Sequence, residues 1–246
     1  MEGCNYDALE LLGFDFETTS PEPSTTGVIQ TAAKWESGEV VLNELSNPGF
    51  QISDGAFDVH GISNEMIANK PNHVEVVKRL ADYILEREGK ICLVGHNITT
   101  FDVPIMWRVA GIKNPPRIPT IDTLTCAIRT LPHAENHKLG PLHVALGLGS
   151  AEKAHDALGD IEMVFNLVRK FREALGMTTA ELIQWLETPR VLSTCHFGKH
   201  KGKPWGWKAG CVPAGYVRFI CEKFDTPHPD LVATIKHHYG FNFRMA

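Results

Sequence analysis

The stretch LLGFDFETTS, residues 11–20, places two carboxylates, Asp15 and Glu17, inside an apolar segment. Side chains two residues apart on a β-strand point to the same face. A strand here therefore projects Asp15 and Glu17 together, with Phe14 and Phe16 on the opposite face. Neighbouring carboxylates repel each other, and a divalent cation such as Mg²⁺ or Mn²⁺, which prefers hard oxygen ligands, removes that repulsion. The alternative is an edge strand with one solvated face.

The segments around this strand predict an α/β fold. Residues 28–36 and 39–48 form two further strands separated by a short turn, which is typical of an antiparallel meander. Beyond them, segments of strand and helix character alternate, at 72–89, 90–97, 102–112, 118–131, 139–149 and 156–176. This order favours a mixed sheet, antiparallel in its first part and parallel in its second, that is flanked by helices.

The charge of the chain divides into an acidic part and a basic part. The 246 residues carry a formal net charge of −5, but residues 191–246 hold eight Lys and Arg against three Asp and Glu. Such a division predicts two units with different roles. We place a body at residues 1–176, a linker helix at 177–192 that Thr179 caps, and a basic C-terminal module at 193–246.

The cysteines and the N-terminus predict a cytoplasmic protein without a membrane partner. The six cysteines form no CxxC pair, which is typical of a reducing compartment. The N-terminus has neither the apolar core of a signal peptide nor a membrane-spanning stretch. The sequence leaves a homodimer open.

Further candidate carboxylates follow the apolar segments. Asp102 follows the strand at 90–97 by a few residues, and taken alone its position favours a cap of the next helix. For Asp122 we keep the cap interpretation. His155 and Asp160 are five residues apart, so a regular helix would point them about 140° apart. We therefore expect His155 in a loop, Asp156 at the N-cap and Asp160 in the first turns, although a histidine in a loop is more often simply solvated.

The motifs together, D-x-E at 15–17, N-x-x-x-F-D at 97–102 and H-x-x-x-x-D at 155–160, resemble those of the DEDDh 3′–5′ exonucleases. This family has a ribonuclease H-like fold, and the resemblance covers about residues 9–176. It implies two divalent ions, Mg²⁺ or Mn²⁺, held by Asp15, Glu17, Asp102 and Asp160, with His155 as the general base. It also implies substrate contacts at Thr18, His60, Ile62 and Phe101, of which the last three have simple packing as the alternative.

The basic module is the second informative stretch. FGKHKGKP at 197–204 and VPAGYVRFI at 212–220 resemble the C-terminal region of exodeoxyribonuclease X-like proteins. Lysines next to aromatic residues are typical of a surface that tracks phosphates and stacks bases. We therefore expect Lys199, Lys201 and Lys203, together with Lys208, to contact DNA. A packed module whose tryptophans form a core is the alternative.

A zinc site is a third interpretation of the module. Its candidate ligands are Cys195, His196, His200, Cys211 and Cys221, but their spacing fits no common zinc pattern.

The two resemblances together imply a metal-dependent exonuclease that acts on the 3′ ends of DNA. We expect it to hydrolyse single-stranded DNA, with duplex DNA left open, to nucleoside 5′-monophosphates. An RNA-trimming enzyme is an alternative because no motif addresses the 2′-hydroxyl. A nucleic-acid-binding protein without activity is the other alternative.

Overall fold

The computed structural model describes residues 6–150, 156–224 and 227–243, and a five-stranded sheet lies at its centre. The strands have the spatial order β3-β2-β1-β4-β5, with bounds β1 Glu10–Thr18, β2 Val28–Trp35, β3 Val40–Leu45, β4 Ile91–Gly95 and β5 Thr120–Asp122. The helices are α1 Asp54–His60, α2 Asn64–Ile67, α3 His73–Leu85, α4 Asp102–Val109, α5 Thr123–Thr130, α6 Leu139–Ala145, α7 Ala157–Leu175, α8 Thr179–Glu187, α9 Ala214–Lys223 and α10 Pro229–Tyr239.

The sheet confirms the predicted ribonuclease H-like arrangement. The pairs β1–β2 and β2–β3 are antiparallel, whereas β1–β4 and β4–β5 are parallel. Every residue of β4 is buried, as its nearly continuous apolar sequence predicts for a strand that parallel neighbours enclose. The carboxyl ends of β1, β4 and β5 therefore meet at one edge of the sheet.

Strand β1 has two distinct faces. Phe14 and Phe16 belong to a hydrophobic cluster with α3 and α4, while Leu11 belongs to the cluster on the other face, with α7. On that second face, a Cβ added at Gly13 would lie 2.6 Å from the Cγ2 atom of Ile161. The glycine therefore lets α7 approach the strand closely, next to Asp160 in its first turns.

Helix α8 is part of the body's packing. Its N-cap is Thr178, whose hydroxyl accepts a hydrogen bond from Glu181 N while the Glu181 carboxylate accepts one from Thr178 N. The predicted cap at Thr179 was wrong by one residue, because this reciprocal capping box needs the glutamate three positions after the cap. Leu182 and Ile183 are fully buried in the cluster that contains α7. The domain boundaries stay a prediction.

The C-terminal module has a hydrophobic cluster of its own. Trp205 packs there with residues of α9 and α10, among them Val217, Ile220 and Ile235. One of the two tryptophans in the predicted DNA-contacting stretch thus lies in a core. Trp207 is 64% exposed.

A buried ion pair joins the module to the body. The guanidinium of Arg129, on α5, donates two hydrogen bonds to Asp230, on α10, at 2.8 and 2.6 Å. Arg129 also donates to the carbonyl oxygens of Trp185 and Leu186 in α8 and of Thr188 directly after it. A buried charge pair is costly to break because each charge would be left unpaired. We infer that this contact fixes the module against the body.

In the part of the chain that the structure describes, no helix is both long and apolar enough to cross a membrane. The five described cysteines are free thiols.

Candidate active site

Three carboxylates meet at the carboxyl end of β1. Ligand oxygens of Asp15, Glu17 and Asp160 lie within 4.8 Å of one another. Strand geometry places the first two on the α7 face, and the close packing of α7 at Gly13 brings the third alongside. The structure therefore brings together three side chains that are distant in the sequence.

Asp102 reaches the same end of β1 from the other side. The pairing of β1 with β4 ends at Gly13, so the Phe16 N–H is free of the ladder on that side and donates to Asp102 Oδ1 at 3.1 Å. Asp102 is the first residue of α4, and the N-cap position belongs to Phe101, which makes no side-chain cap bond. The alternative of a simple helix cap at Asp102 is therefore wrong.

The electrostatics of this group are unfavourable without a cation. Burial, followed by the charges of Asp102 and Asp160, raises the pKa of Asp15 well above its ordinary value. Burial, followed by the charge of Asp15, raises the pKa of Glu17 to about 9. Burial also raises the pKa of Asp102 to about 8, although the bond from Phe16 N opposes this shift.

The donor set of this site fits a divalent metal ion. Buried carboxylates are stable in the charged form when they are paired or coordinate a metal. Carboxylate oxygens are the ligands that Mg²⁺ and Mn²⁺ favour. The raised pKa values indicate that the charged forms of these carboxylates are unfavourable without a cation, and a bound divalent ion would neutralise their charges.

Asp122 is a structural acceptor, as predicted. Its side chain accepts from the backbone N–H groups of Leu124 and Thr125 at the start of α5. It also accepts from Asn97 N and Thr99 N, which fixes the loop between β4 and α4. Asn97 itself has a positive φ of 66°, and these bonds hold it there.

His155 lies outside the described residues. Asp156 directly follows it and is the N-cap of α7, as predicted, but its side chain makes no cap bond. The charge of Asp156 contributes to the raised pKa of Glu17. Asp156 is thus close enough to Glu17 for its charge to act on that carboxylate.

The predicted substrate contacts have different environments. Thr18 lies at a register shift of β1 and donates its hydroxyl to Ser20 O at 3.0 Å. His60 Nδ1 accepts from Ile62 N at 3.0 Å, and Ile62 is buried in a small cluster with Ile29. Phe101 is half-buried and packs against the α3–α4 cluster. The packing alternative therefore holds for the side chains of Ile62 and Phe101, while their role in binding stays a prediction.

The lysines of the module point in different directions. Lys201 donates to the carbonyl oxygen of Glu135 in the body, whereas the Lys199 ammonium lies 5.4 Å from the ring centroid of Tyr216. Lys203 is exposed. The zinc interpretation finds no support, because among the residues that the structure describes the carboxylates at β1 are the one group of potential ligands that is close enough.

Sequence reasoning missed the surroundings of the site. Gly13 shapes it by letting α7 approach β1, and a glycine inside a strand is a signal of close approach that could have been used. The ion pair of Arg129 with Asp230 joins residues about a hundred positions apart, and no local pattern predicts it.

Comparison with known proteins identifies the family of the chain. The model of the exonuclease (RNase T) family matches residues 12–168. The chain belongs to this family. The DNA polymerase III PolC-type protein of Lacticaseibacillus paracasei is 32% identical over 183 residues, which are 69% of this chain but 12% of that protein. The chain described here therefore spans only a small part of the length of the curated relatives that it matches.

Solved structures of exonucleases share the fold. Exonuclease X in complex with 5′ overhanging duplex DNA aligns with a TM-score of 0.51 and 23% identity, over 71% of this chain and 98% of that chain. Exonuclease I of E. coli in complex with a dT13 oligonucleotide aligns with a TM-score of 0.53 and 20% identity, over 68% of this chain and 42% of that chain.

Proposed function

We propose that this chain is a divalent-metal-dependent 3′–5′ exonuclease that shortens DNA and releases nucleoside 5′-monophosphates. The observation that carries the proposal is the cluster of Asp15, Glu17 and Asp160, with Asp102 at the same strand end. Membership of the exonuclease family supports it, as does the DNA bound to both solved relatives.

The proposed ligands of two Mg²⁺ or Mn²⁺ ions are Asp15, Glu17, Asp102 and Asp160. When bound, the ions supply positive charge that stabilises the attacking and leaving oxygens during hydrolysis of a phosphodiester. The chain itself supplies positions: β1 holds Asp15 and Glu17, while the first turns of α4 and α7 hold Asp102 and Asp160.

The proposed general base is His155. A ring nitrogen of the imidazole takes a proton from the attacking water, and an imidazole pKa near neutrality suits this step. The water oxygen bonds to phosphorus as the bond from phosphorus to the 3′ oxygen of the preceding nucleotide breaks, and that oxygen takes up a proton from solvent to become the new 3′-hydroxyl.

The test is an assay with a 5′-fluorescent DNA oligonucleotide in Mg²⁺, in Mn²⁺ and in EDTA. We expect a ladder that shortens one nucleotide at a time from the 3′ end with metal and no shortening in EDTA, with 5′-monophosphates identified by chromatography. Asp82→Asn, which changes an exposed aspartate on α3, is the control for Asp15→Asn. Binding without release of nucleotides in either metal would contradict the proposal, and faster hydrolysis of a matched RNA would replace DNA as the substrate.

A further inference from the structure

Two side chains at the start of α10 hold the C-terminal module against α5 of the body. Asp230 accepts two hydrogen bonds from the Arg129 guanidinium. The Nε2 atom of His228 is hydrogen-bonded to the hydroxyl of Thr125, one turn earlier on α5. Because His228 and Asp230 belong to the same helix start, the way in which α10 begins decides how the module docks.

The ring of His228 is the N-cap of α10. Its Nδ1 atom accepts a hydrogen bond from Asp230 N at 3.2 Å. Pro229, the first residue of the helix, has no N–H, so Asp230 N is the first backbone donor of the helix and the ring satisfies it. A neutral imidazole has one accepting and one donating nitrogen. Since Nδ1 accepts, the proton lies on Nε2, which donates to the Thr125 hydroxyl.

A second proton on the His228 ring would break this cap. A charged imidazole donates from both nitrogens, so its Nδ1–H would face the N–H of Asp230. The carboxylate oxygens of Asp230 already accept from Arg129 and from Arg190 N. Those of Asp122 already accept from backbone N–H groups after β4 and at the start of α5. The docked arrangement therefore accommodates the neutral ring.

The charges around His228 act in both directions. Burial is the largest effect and lowers its pKa, the charges of Asp122 and Asp230 raise it, and the charge of Arg129 lowers it. On one side, the ring lines a cavity of about 310 Å³ whose further charged residues are Arg117 and Glu187, an ion pair at 3.4 Å. On the other side, it lines a cavity of about 1030 Å³ between body and module. Besides Asp230, the charged and titratable residues of this larger cavity are Lys138, Lys201, His96, His137, His196 and Asp160.

His196 is a second histidine of the module at the same junction. Its ring centroid is 6.3 Å from that of His137 in the body, and its ring donates to the carbonyl oxygen of Pro132. Burial, followed by the charge of His137, lowers the pKa of His196, and the charges of His133 and Lys201 act in the same direction. A proton on His196 therefore adds positive charge next to groups that are cationic or become so in acid.

We propose that the junction is a pH-sensitive docking contact, in which protonation of His228, with His196 as a second site, weakens the hold of α5 on the module. Released histidines have the ordinary imidazole pKa of about 6.5 and bind protons more readily than the docked ones. Docking is thus strongest above that pH and weakens as the pH falls below it. Asp160 also lines the larger cavity, so release of the module opens this side of the carboxylate site.

The test measures hydrogen exchange of backbone amides by mass spectrometry in the full-length protein, in EDTA and without DNA, with rates corrected for intrinsic exchange. A peptide from the first turn of α10 reports on docking, and a peptide from β4 reports on unfolding of the sheet. Between pH 6.5 and 5.0, uptake of one proton on release lowers the protection of α10 by up to about tenfold for each pH unit, and uptake of two protons by up to about 100-fold. The pKa values of Glu17 and Asp102, about 9 and about 8, lie above this window, so these carboxylates stay protonated throughout it.

The decisive variant is His228→Asn, which keeps an acceptor at the N-cap and carries no charge. Its protection at pH 7.5 should be near that of wild type, and its loss of protection in acid should be smaller by up to about tenfold for each pH unit. His237→Asn is the matched control, because it changes an exposed histidine in the last turn of the same helix, and it should behave as wild type. His196→Gln tests the second site and should also reduce the loss in acid.

The proposal is overturned if the protection of α10 in wild type does not change between pH 6.5 and 5.0, or if β4 loses protection in parallel with α10. It is also overturned if His228→Asn loses as much protection in acid as His237→Asn. Should His228→Asn already be unprotected at pH 7.5, His196→Gln decides, and a loss equal to that of wild type would reject the proposal. Since no metal or DNA is present, the outcome is independent of the proposed nuclease activity.

Discussion

Two regions at the same edge of the sheet hold buried carboxylates in opposite ways. At the end of β5, the charge of Asp122 is met by backbone N–H groups, among them those of Asn97 and Leu124. At the end of β1, the neighbours that act on Asp15 are the carboxylates of Asp102 and Asp160. The difference shows that burial of an aspartate does not by itself identify a residue with a role in catalysis. The chemistry of its neighbours separates a structural acceptor from a site that needs a cation.

The largest expected effect is on turnover. Asp15→Asn keeps the shape of the side chain but removes a charge and a metal ligand, so nucleotide release in Mn²⁺ should fall below detection. Asp122→Asn should retain measurable turnover, because Asp122 acts on the loop and on α5 rather than on an ion. Rates of labelled-oligonucleotide shortening check both variants. Near-normal turnover in Asp15→Asn would remove the distinction between the two regions.

The next effect concerns His155. His155→Ala should lower the rate of nucleotide release about 10²- to 10⁴-fold, the contribution of a general base. The rise in melting temperature with Mn²⁺ should persist, because the carboxylates are unchanged. If that rise disappears, the histidine is a ligand and not a base.

The two regions should also differ in the sign of their stability effects without metal. In EDTA, Asp15→Asn should raise the free energy of unfolding, since it removes the cost of burying this carboxyl group and its repulsion with Asp102 and Asp160. Asp122→Asn should lower it by about 1–3 kcal/mol, because buried N–H groups lose an acceptor. Urea denaturation of both variants measures this contrast, and equal signs would contradict it.

A further effect is a dependence of stability on pH. The folded-state pKa values of Glu17 and Asp102 are raised to about 9 and about 8. Between the ordinary carboxyl pKa of about 4 and these values the folded state binds more protons than the unfolded state, so stability falls as pH rises. Thermal melts in EDTA from pH 5 to pH 9 should show this decline, and added Mn²⁺ should reduce it. A melting temperature in EDTA that rises with pH would show that the site does not repel charge.

The sequence predicted the regions that depend on local periodicity. Alternation along residues 11–18 placed Asp15 opposite Phe14, and the structure has these side chains on separate faces. The position of Asp102 was ambiguous between cap and site, because it depends on β4 ending before β1 does. No short stretch of the sequence contains both β1 and β4, so where their pairing ends could not be predicted locally.

In the C-terminal module, unlike in β1, the sequence did not predict where the side chains lie. Composition indicated that lysines and aromatic rings are common in the module but not which of them line the cleft between the module and the body. Trp205 lies in the module's core and on the cleft wall, whereas Trp207 is mostly exposed. Their placement depends on the docking of α10 through Arg129, which is a contact between distant parts of the chain.

The most direct test of the central claim is a calorimetric titration of Mn²⁺ into wild type, Asp15→Asn and Asp122→Asn at pH 7.5. If the carboxylates at the end of β1 bind divalent ions, wild type and Asp122→Asn will give a heat change that saturates, and Asp15→Asn will lose that binding. Saturation of Asp15→Asn with wild-type affinity would contradict the claim.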